Sequence, residues 1–154
     1  MKSFFLLLSL SAVSFLAASE SSLDLATRAQ KAISPIAGEL KITELRQPVK
    51  IARDPWGVAH IYATNQHDLF FAQGFTAAQD RLFQMEMWKR AGQGRLAEVL
   101  GKSAIERDRY ARLLKYRGNM QQEYKSYAPD TLAILTAFTE GINAYIRYVS
   151  GPAG

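Results

Sequence analysis

The chain has 154 residues, 48% of them hydrophobic, a formal charge of +5 and no cysteine. That length holds one domain with a modest core. Its apolar content argues against disorder, and without cysteine neither a disulfide nor an export lipid on Cys can form. The charges alternate in sign along the chain instead of running in blocks, which reads as solvated helix faces and excludes a nucleic-acid footprint.

Residues 1–19 have a secretory signal layout. Lys2 precedes an apolar run from Phe4 to Ala18, broken only by serines, and Ala17-Ala18-Ser19 offers small residues for cleavage. The run is shorter than the roughly 20 residues a spanning helix needs, so an uncleaved membrane anchor is the weaker reading. Cleavage would remove Lys2 and leave +4. The expected destination is the periplasm or the medium. Residues 20–37 read as a polar spacer with a weak helical tendency around Leu23 to Ile33, and residues 38–154 as the folded part.

From Glu39 the pattern alternates with period two. Leu40, Ile42 and Glu44, then Val49, Ile51 and Arg53, predict short strands. Asp54-Pro55-Trp56-Gly57 has Asp at the first, Pro at the second and Gly at the fourth position, as a type I turn favours. Val58 to Ala63 then resumes as a strand, so a β-hairpin is expected. Thr64-Asn65 to Asp68 supplies helix-start residues. Phe71, Phe75, Ala78, Leu82 and Met85 follow at steps of four, three, four and three, one stripe of an α-helix. Leu69, Phe70, Ala72, Phe83, Met87 and Trp88 widen its apolar surface, so this helix should be buried on several sides.

Ala91-Gly92-Gln93-Gly94 ends that helix by glycine caps, and Gly101 stops a short helical turn from Arg95 to Leu100. Ser103-Ala104-Ile105-Glu106 reads as a capping box opening a third helical stretch to about Tyr127. Ala128-Pro129-Asp130 breaks it and starts a last helix. Its apolar stripe is Leu132, Leu135, Phe138, Ile142, Tyr145 and Val149.

No catalytic constellation emerges from the residues. The two histidines, His60 and His67, are too few for a metal site, which needs three or four converging ligands. HExxH, EF-hand, P-loop and G-x-S-x-G spacings are all missing. His60, mid-strand, reads as a packed, hydrogen-bonded histidine, and His67 as exposed at a helix start. Arg53-Asp54 reads as a turn-stabilising pair. Gln79-Asp80-Arg81 is a polar triplet inside the most apolar helix, where buried polar groups must be bonded or paired.

The block from Pro48 to Gly101 resembles the opening of the α-subunit in the penicillin acylase (penicillin amidase) family of N-terminal nucleophile hydrolases, and the resemblance extends from Gly38 to about Val149. Arg53-Asp54, Gly57-Val58 and His60-Ile61-Tyr62-Ala63 fit the family's hairpin. Ala78-Gln79-Asp80-Arg81-Leu82 fits its helix, Gly94-Arg95-Leu96-Ala97-Glu98 its exit, and Gly141-Ile142-Asn143-Ala144 its last helix. Ala59 departs from the Pro that family members commonly carry before the His.

The resemblance implies an α+β fold, the N-terminal fragment of an αββα sandwich with short antiparallel strands followed by about three helices. It implies a precursor cut into two chains, with a Ser opening the second chain as nucleophile and its own α-amine as base. The substrate would be a linear amide such as the acyl side chain of a β-lactam or an acyl-homoserine lactone. On this reading the partners are the remainder of the α-subunit and the β-subunit. The chain itself carries no catalytic or metal residue and no cofactor, while the complete enzyme is expected to hold a structural calcium elsewhere. Arg53, Asp54, Gly57, His60, Gln79, Asp80, Arg81, Arg95 and Glu98 are then scaffold: Asp54 and Gly57 for the turn, Gln79, Asp80 and Arg81 for tying helix to sheet. The alternative is a catalytically inert exported binding or chaperone-like module that retains the scaffold.

Overall fold

The computed structural model describes residues 24–30, 33 and 35–151, in two units, Met1–Leu40 and Lys41–Gly154. In the first unit residues 24–30 are helical and exposed, with Asp24 and Arg28 paired one turn apart at 3.8 Å. The expected signal, residues 1–19, lies outside the described residues.

The second unit runs β1 (Lys50–Arg53), β2 (Ala59–Tyr62), α1 (Gln66–Gln93), α2 (Ala97–Leu100), a 3-10 turn (Gly101–Ala104), α3 (Ile105–Leu114), α4 (Met120–Tyr124) and α5 (Thr131–Ser150). It is α+β, as expected. The strands pair antiparallel, Lys50 opposite Tyr62 and Arg53 opposite Ala59. Their turn closes through the Gly57 amide on the Asp54 carbonyl at 2.9 Å. Gly57 has φ +81°, a left-handed conformation that costs glycine nothing.

Three expectations are corrected. No strand forms over Glu39–Glu44. Ile42 and Leu45 instead pack on the core at a spacing of three, and the amides that follow, of Arg46 and Gln47, bond the Asp68 carboxylate instead of a strand. The stretch from Ser103 to Tyr127 is not one helix, and the capping box does not form. Ser103 bonds the Leu100 carbonyl, a 3-10 turn precedes α3, and Asn119 starts α4 separately by capping the amides of Gln121 and Gln122. In α5 the expected stripe of large residues is inside only in part: Tyr145 is in the core and Ile142 packs against it. Ala137, Gly141, Ala144 and Tyr145 are buried, while Leu132, Leu135 and Val149 are exposed.

Close approach decides which face of α5 turns inward. A Cβ on Gly141 would stand 1.9 Å from the Phe71 carbonyl oxygen, and one on Gly74 2.0 Å from that of Phe138. The two backbones therefore touch, and only glycine fits at either point. Phe71, Phe75, Ala78, Ala144 and Tyr145 form the core around this crossing, with the Phe75 and Tyr145 rings edge to face at 5.3 Å. Helix α1 kinks at Arg81 (φ −141°, ψ 22°). Its buried residues all precede the kink; Phe83 and Trp88 beyond it are 75% and 68% exposed. The helix ends as expected on a glycine, Gly94 at φ +67°.

Candidate functional site

Most of the residues singled out in the sequence meet where the hairpin rests on α1. Arg53 reaches across from β1 and grips Asp80 with both terminal nitrogens, at 2.8 and 3.0 Å, while also donating to the Gln79 side chain at 2.9 Å and to the Gly57 carbonyl at 3.0 Å. A planar guanidinium suits this two-point grip on a carboxylate. Arg53 thus pairs with Asp80, 27 residues away, and not with its neighbour Asp54. Asp54 works inside the turn, one oxygen accepting the amides of Trp56 and Val58 at 2.9 Å each and the other facing His60 Nε2 at 3.3 Å. Its partial desolvation, which would raise its pKa, is outweighed by the Val58 amide, His60 and the Trp56 amide, so the carboxyl is held below its ordinary value.

His60 is hydrogen-bonded as expected but exposed, not packed. Arg81 is exposed at the kink; it has no place in the contact that Gln79 and Asp80 make with the hairpin. Arg95 and Glu98 lie apart from this cluster. Arg95 Nε donates to Glu98 at 2.8 Å, and Arg90 and Glu86 extend the ion-pair chain. Glu98 is held below the ordinary carboxylate range, by Arg95 first.

Two buried carboxylates carry more of the structure than these, and neither was legible as such. Asp68 is fully buried. It accepts the Arg46 and Gln47 amides at 3.0 and 2.9 Å, Asn65 Nδ2 at 2.6 Å, and faces His67 Nδ1 at 2.9 Å. Burial pushes its carboxyl up, but these bonds, led by the Arg46 amide, more than offset that and hold it far below the usual carboxylate range. Asn65 in turn caps the Asp68 amide while its own side-chain amide donates to the Asp68 carboxylate, an N-cap whose spacing is readable in sequence; the reach of Asp68 back to residues 46 and 47 is not. Asp108 is also buried, accepting the Leu96 and Ala97 amides at 2.9 and 2.8 Å, while Arg112 donates to the Gly94 carbonyl. Flanked by Arg107 and Arg109 in sequence, Asp108 gave no sign of this.

His67, expected exposed, is half-buried, its ring between Asp68 and Glu140, whose oxygen stands 3.2 Å from Nε2. A cavity of about 230 Å³ beside it is lined by Arg46, Asn65, Gln66, His67, Ala133 and Ile134, below the usual range for a drug-sized ligand. Both ring nitrogens of His67 face carboxylates, and Ser103, Ser126, Thr76, Thr136 and Thr139 all donate to main-chain carbonyls. Neither imidazole therefore has one of these hydroxyls to activate, and no nucleophile–base pair is assembled from them. Among the described residues no three His, Asp or Glu side chains converge as a metal shell would require, and no helix is long and apolar enough to cross a membrane.

The arrangement matches known proteins. A family model described as penicillin amidase covers residues 48–153. The chain is 39% identical over 117 residues to penicillin acylase 2 proenzyme of Pseudomonas sp. (strain SE83), covering 76% of this chain and 15% of that protein. It is 40% identical to penicillin G acylase of Escherichia coli, over 66% of this chain and 12% of that one, and 34% identical to an acyl-homoserine lactone acylase, QuiP, of Pseudomonas fluorescens (strain Pf0-1), over 78% and 15%. A thermostable penicillin G acylase from Alcaligenes faecalis superposes with a TM-score of 0.60 at 32% identity, over 69% of this chain and 56% of that one. The chain thus spans about 15% of the length of the first of these curated relatives.

Proposed function

The chain belongs to the penicillin amidase family, and from that premise we propose that it is the N-terminal scaffold of an exported amidohydrolase acting on a linear amide, the acyl side chain of a β-lactam or of an acyl-homoserine lactone. The nucleophile in this reading is the N-terminal Ser of a second chain. An unperturbed α-amine titrates at about 7.7 to 8.0, close enough to working pH to take that hydroxyl's proton without a histidine. The residues of this chain form the turn, the helix pair and the clamps on which the second chain's groups are mounted. They do not touch the reacting atoms.

The observation that carries this reading is the match over residues 48–153 to acylases about 15% covered by this chain, joined to the internal satisfaction of every polar cluster described above. Arg53, Asp68 and Asp108 spend their bonding capacity on the scaffold. The test is hydrolysis of a chromogenic arylacetyl amide and of an acyl-homoserine lactone. The 154-residue chain alone should release no product above buffer, and co-expression with the polypeptide that follows the matched stretch in a relative should restore it. Turnover by the chain alone, abolished on replacing His60 or His67, would overturn the reading.

A further inference from the structure

We propose that Asp68, His67 and Glu140 form a proton-dependent lock across the crossing of α1 and α5. The lock is closed while the three groups share one proton beyond that of a neutral imidazole, and rising pH opens it by removing that proton. His67 Nδ1 stands 2.9 Å from an Asp68 oxygen and Nε2 3.2 Å from a Glu140 oxygen. A neutral imidazole has one N–H and one lone pair, so it can donate to only one of two carboxylates. Both contacts are hydrogen bonds only with a further proton on the ring or on the Glu140 oxygen, where it belongs to the pair and not to either residue. Without it, a ring lone pair faces a carboxylate. Asp68 is buried and also holds the Arg46 and Gln47 amides and Asn65 Nδ2, whereas the Glu140 side chain is 50% exposed. Glu140 is therefore the arm that lets go.

Its place gives the lock a consequence for the fold. Gly141, next to Glu140, meets the Phe71 carbonyl, and the His67 ring stacks near that of Phe71, the centroids 6.1 Å apart. Release of Glu140 thus loosens α5 at its tightest approach to α1. The other charges around the ring come from two elements. On α5, Asp130 accepts from the Gln66 side chain at 3.0 Å. On the segment before β1, Glu44 is paired with Arg147 of α5, and Arg46 lines the cavity beside the ring. Arg46 opposes the extra proton, but it is exposed and water and salt screen it. Asp68 favours the proton from a fully buried place, where charges are screened least. The stabilisation is therefore present at lower pH and lost as the pH rises.

The test is nuclear magnetic resonance of the full chain, following the His67 ring nitrogens and the Glu140 side-chain carboxyl carbon from about pH 5 to 9, a range that brackets ordinary histidine titration. Both nitrogens should be protonated at the acid end. As the pH rises the two residues should move together at one midpoint, with Nδ1 keeping its proton. Two variants sharpen the outcome. Glu140→Gln can donate its side-chain amide to the bare Nε2 of a neutral ring, so its contact should survive the alkaline end, whereas Glu140→Ala has no contact at any pH. The folding equilibrium constant of the parent divided by that of the Ala variant, from urea unfolding, should fall by up to about fivefold between the two ends, a modest change because Glu140 is half exposed. The same ratio for the Gln variant should fall by less than about twofold. A ring that titrates while the Glu140 carboxyl carbon stays still, a parent ratio constant with pH, or a Gln variant with the parent's pH dependence overturns the proposal. If a variant does not fold, the resonances of the parent decide the matter.

Discussion

Helix α1 has two halves of similar composition and opposite fates. Before Arg81, Phe71, Ala72, Gly74, Phe75, Thr76 and Ala78 are buried; after it none of the helix's residues is, although Leu82, Phe83, Met85, Met87 and Trp88 are as apolar. Apolar content does not separate the halves. What separates them is that α5 closes on the first half, where glycine and alanine on both helices let the backbones touch, and past the kink only the adjacent Leu82 still packs on that core. Dispersion and burial then follow from close approach. The second half is held by polar devices instead, the Glu86–Arg90–Glu98 ion pairs and the Asp108 and Arg112 bonds to the chain just beyond it. Exposed ion pairs contribute little each.

The sharpest way to break this comparison is to remove the anchor of the first half. Asp68→Ala should cost about 4 kcal/mol, since it strips partners from two main-chain amides and two side chains in a buried place; urea unfolding monitored by circular dichroism measures it. The same carboxylate predicts acid lability. Its folded pKa lies below its ordinary value, so its stabilisation is complete above about pH 4 and is lost as the pH falls below that towards the folded value. Asp68→Asn should flatten that acid limb, and a limb of unchanged slope would assign the effect to other groups.

Next in size is the helix crossing. Gly141→Ala should cost about 3 kcal/mol, because its methyl must displace main chain rather than a flexible side chain. Its counterpart in the second half, Phe83→Gln, should change stability by no more than about 0.5 kcal/mol, as surface changes do. Equal costs at the two positions would erase the distinction between the halves. An effect between these two is expected at the hairpin. Arg53→Met should cost about 1 kcal/mol, discounted from a fully buried pair because Asp80 is 39% exposed. Hydrogen exchange should quicken in β1 and β2 while α1 and α5 keep their rates.

What could be read ahead of the structure was local. The turn at Asp54–Gly57, the start of α1 at Asn65, its glycine stop at Gly94 and the α5 start at Asp130 each depend on residues within four positions of one another. Gln79 and Asp80 were legible as residues needing partners and Arg53 as a partner of Asp54, yet the bonds of Arg53 to Gln79 and Asp80, across 26 and 27 positions, were not. Asp68 and Asp108 looked like ordinary helix acids, because their partners are main-chain amides, which every residue has and no side-chain pattern marks.

The sequence therefore carried the family through its resemblance to known acylases, and the hairpin turn and both ends of α1 through turn and cap chemistry that acts over a few residues. Only the tertiary structure decided which face of α5 is inside, which half of α1 is core, and which acids are buried. Those depend on how closely two backbones can approach and on which distant amide a carboxylate meets, and both are set by the fold as a whole.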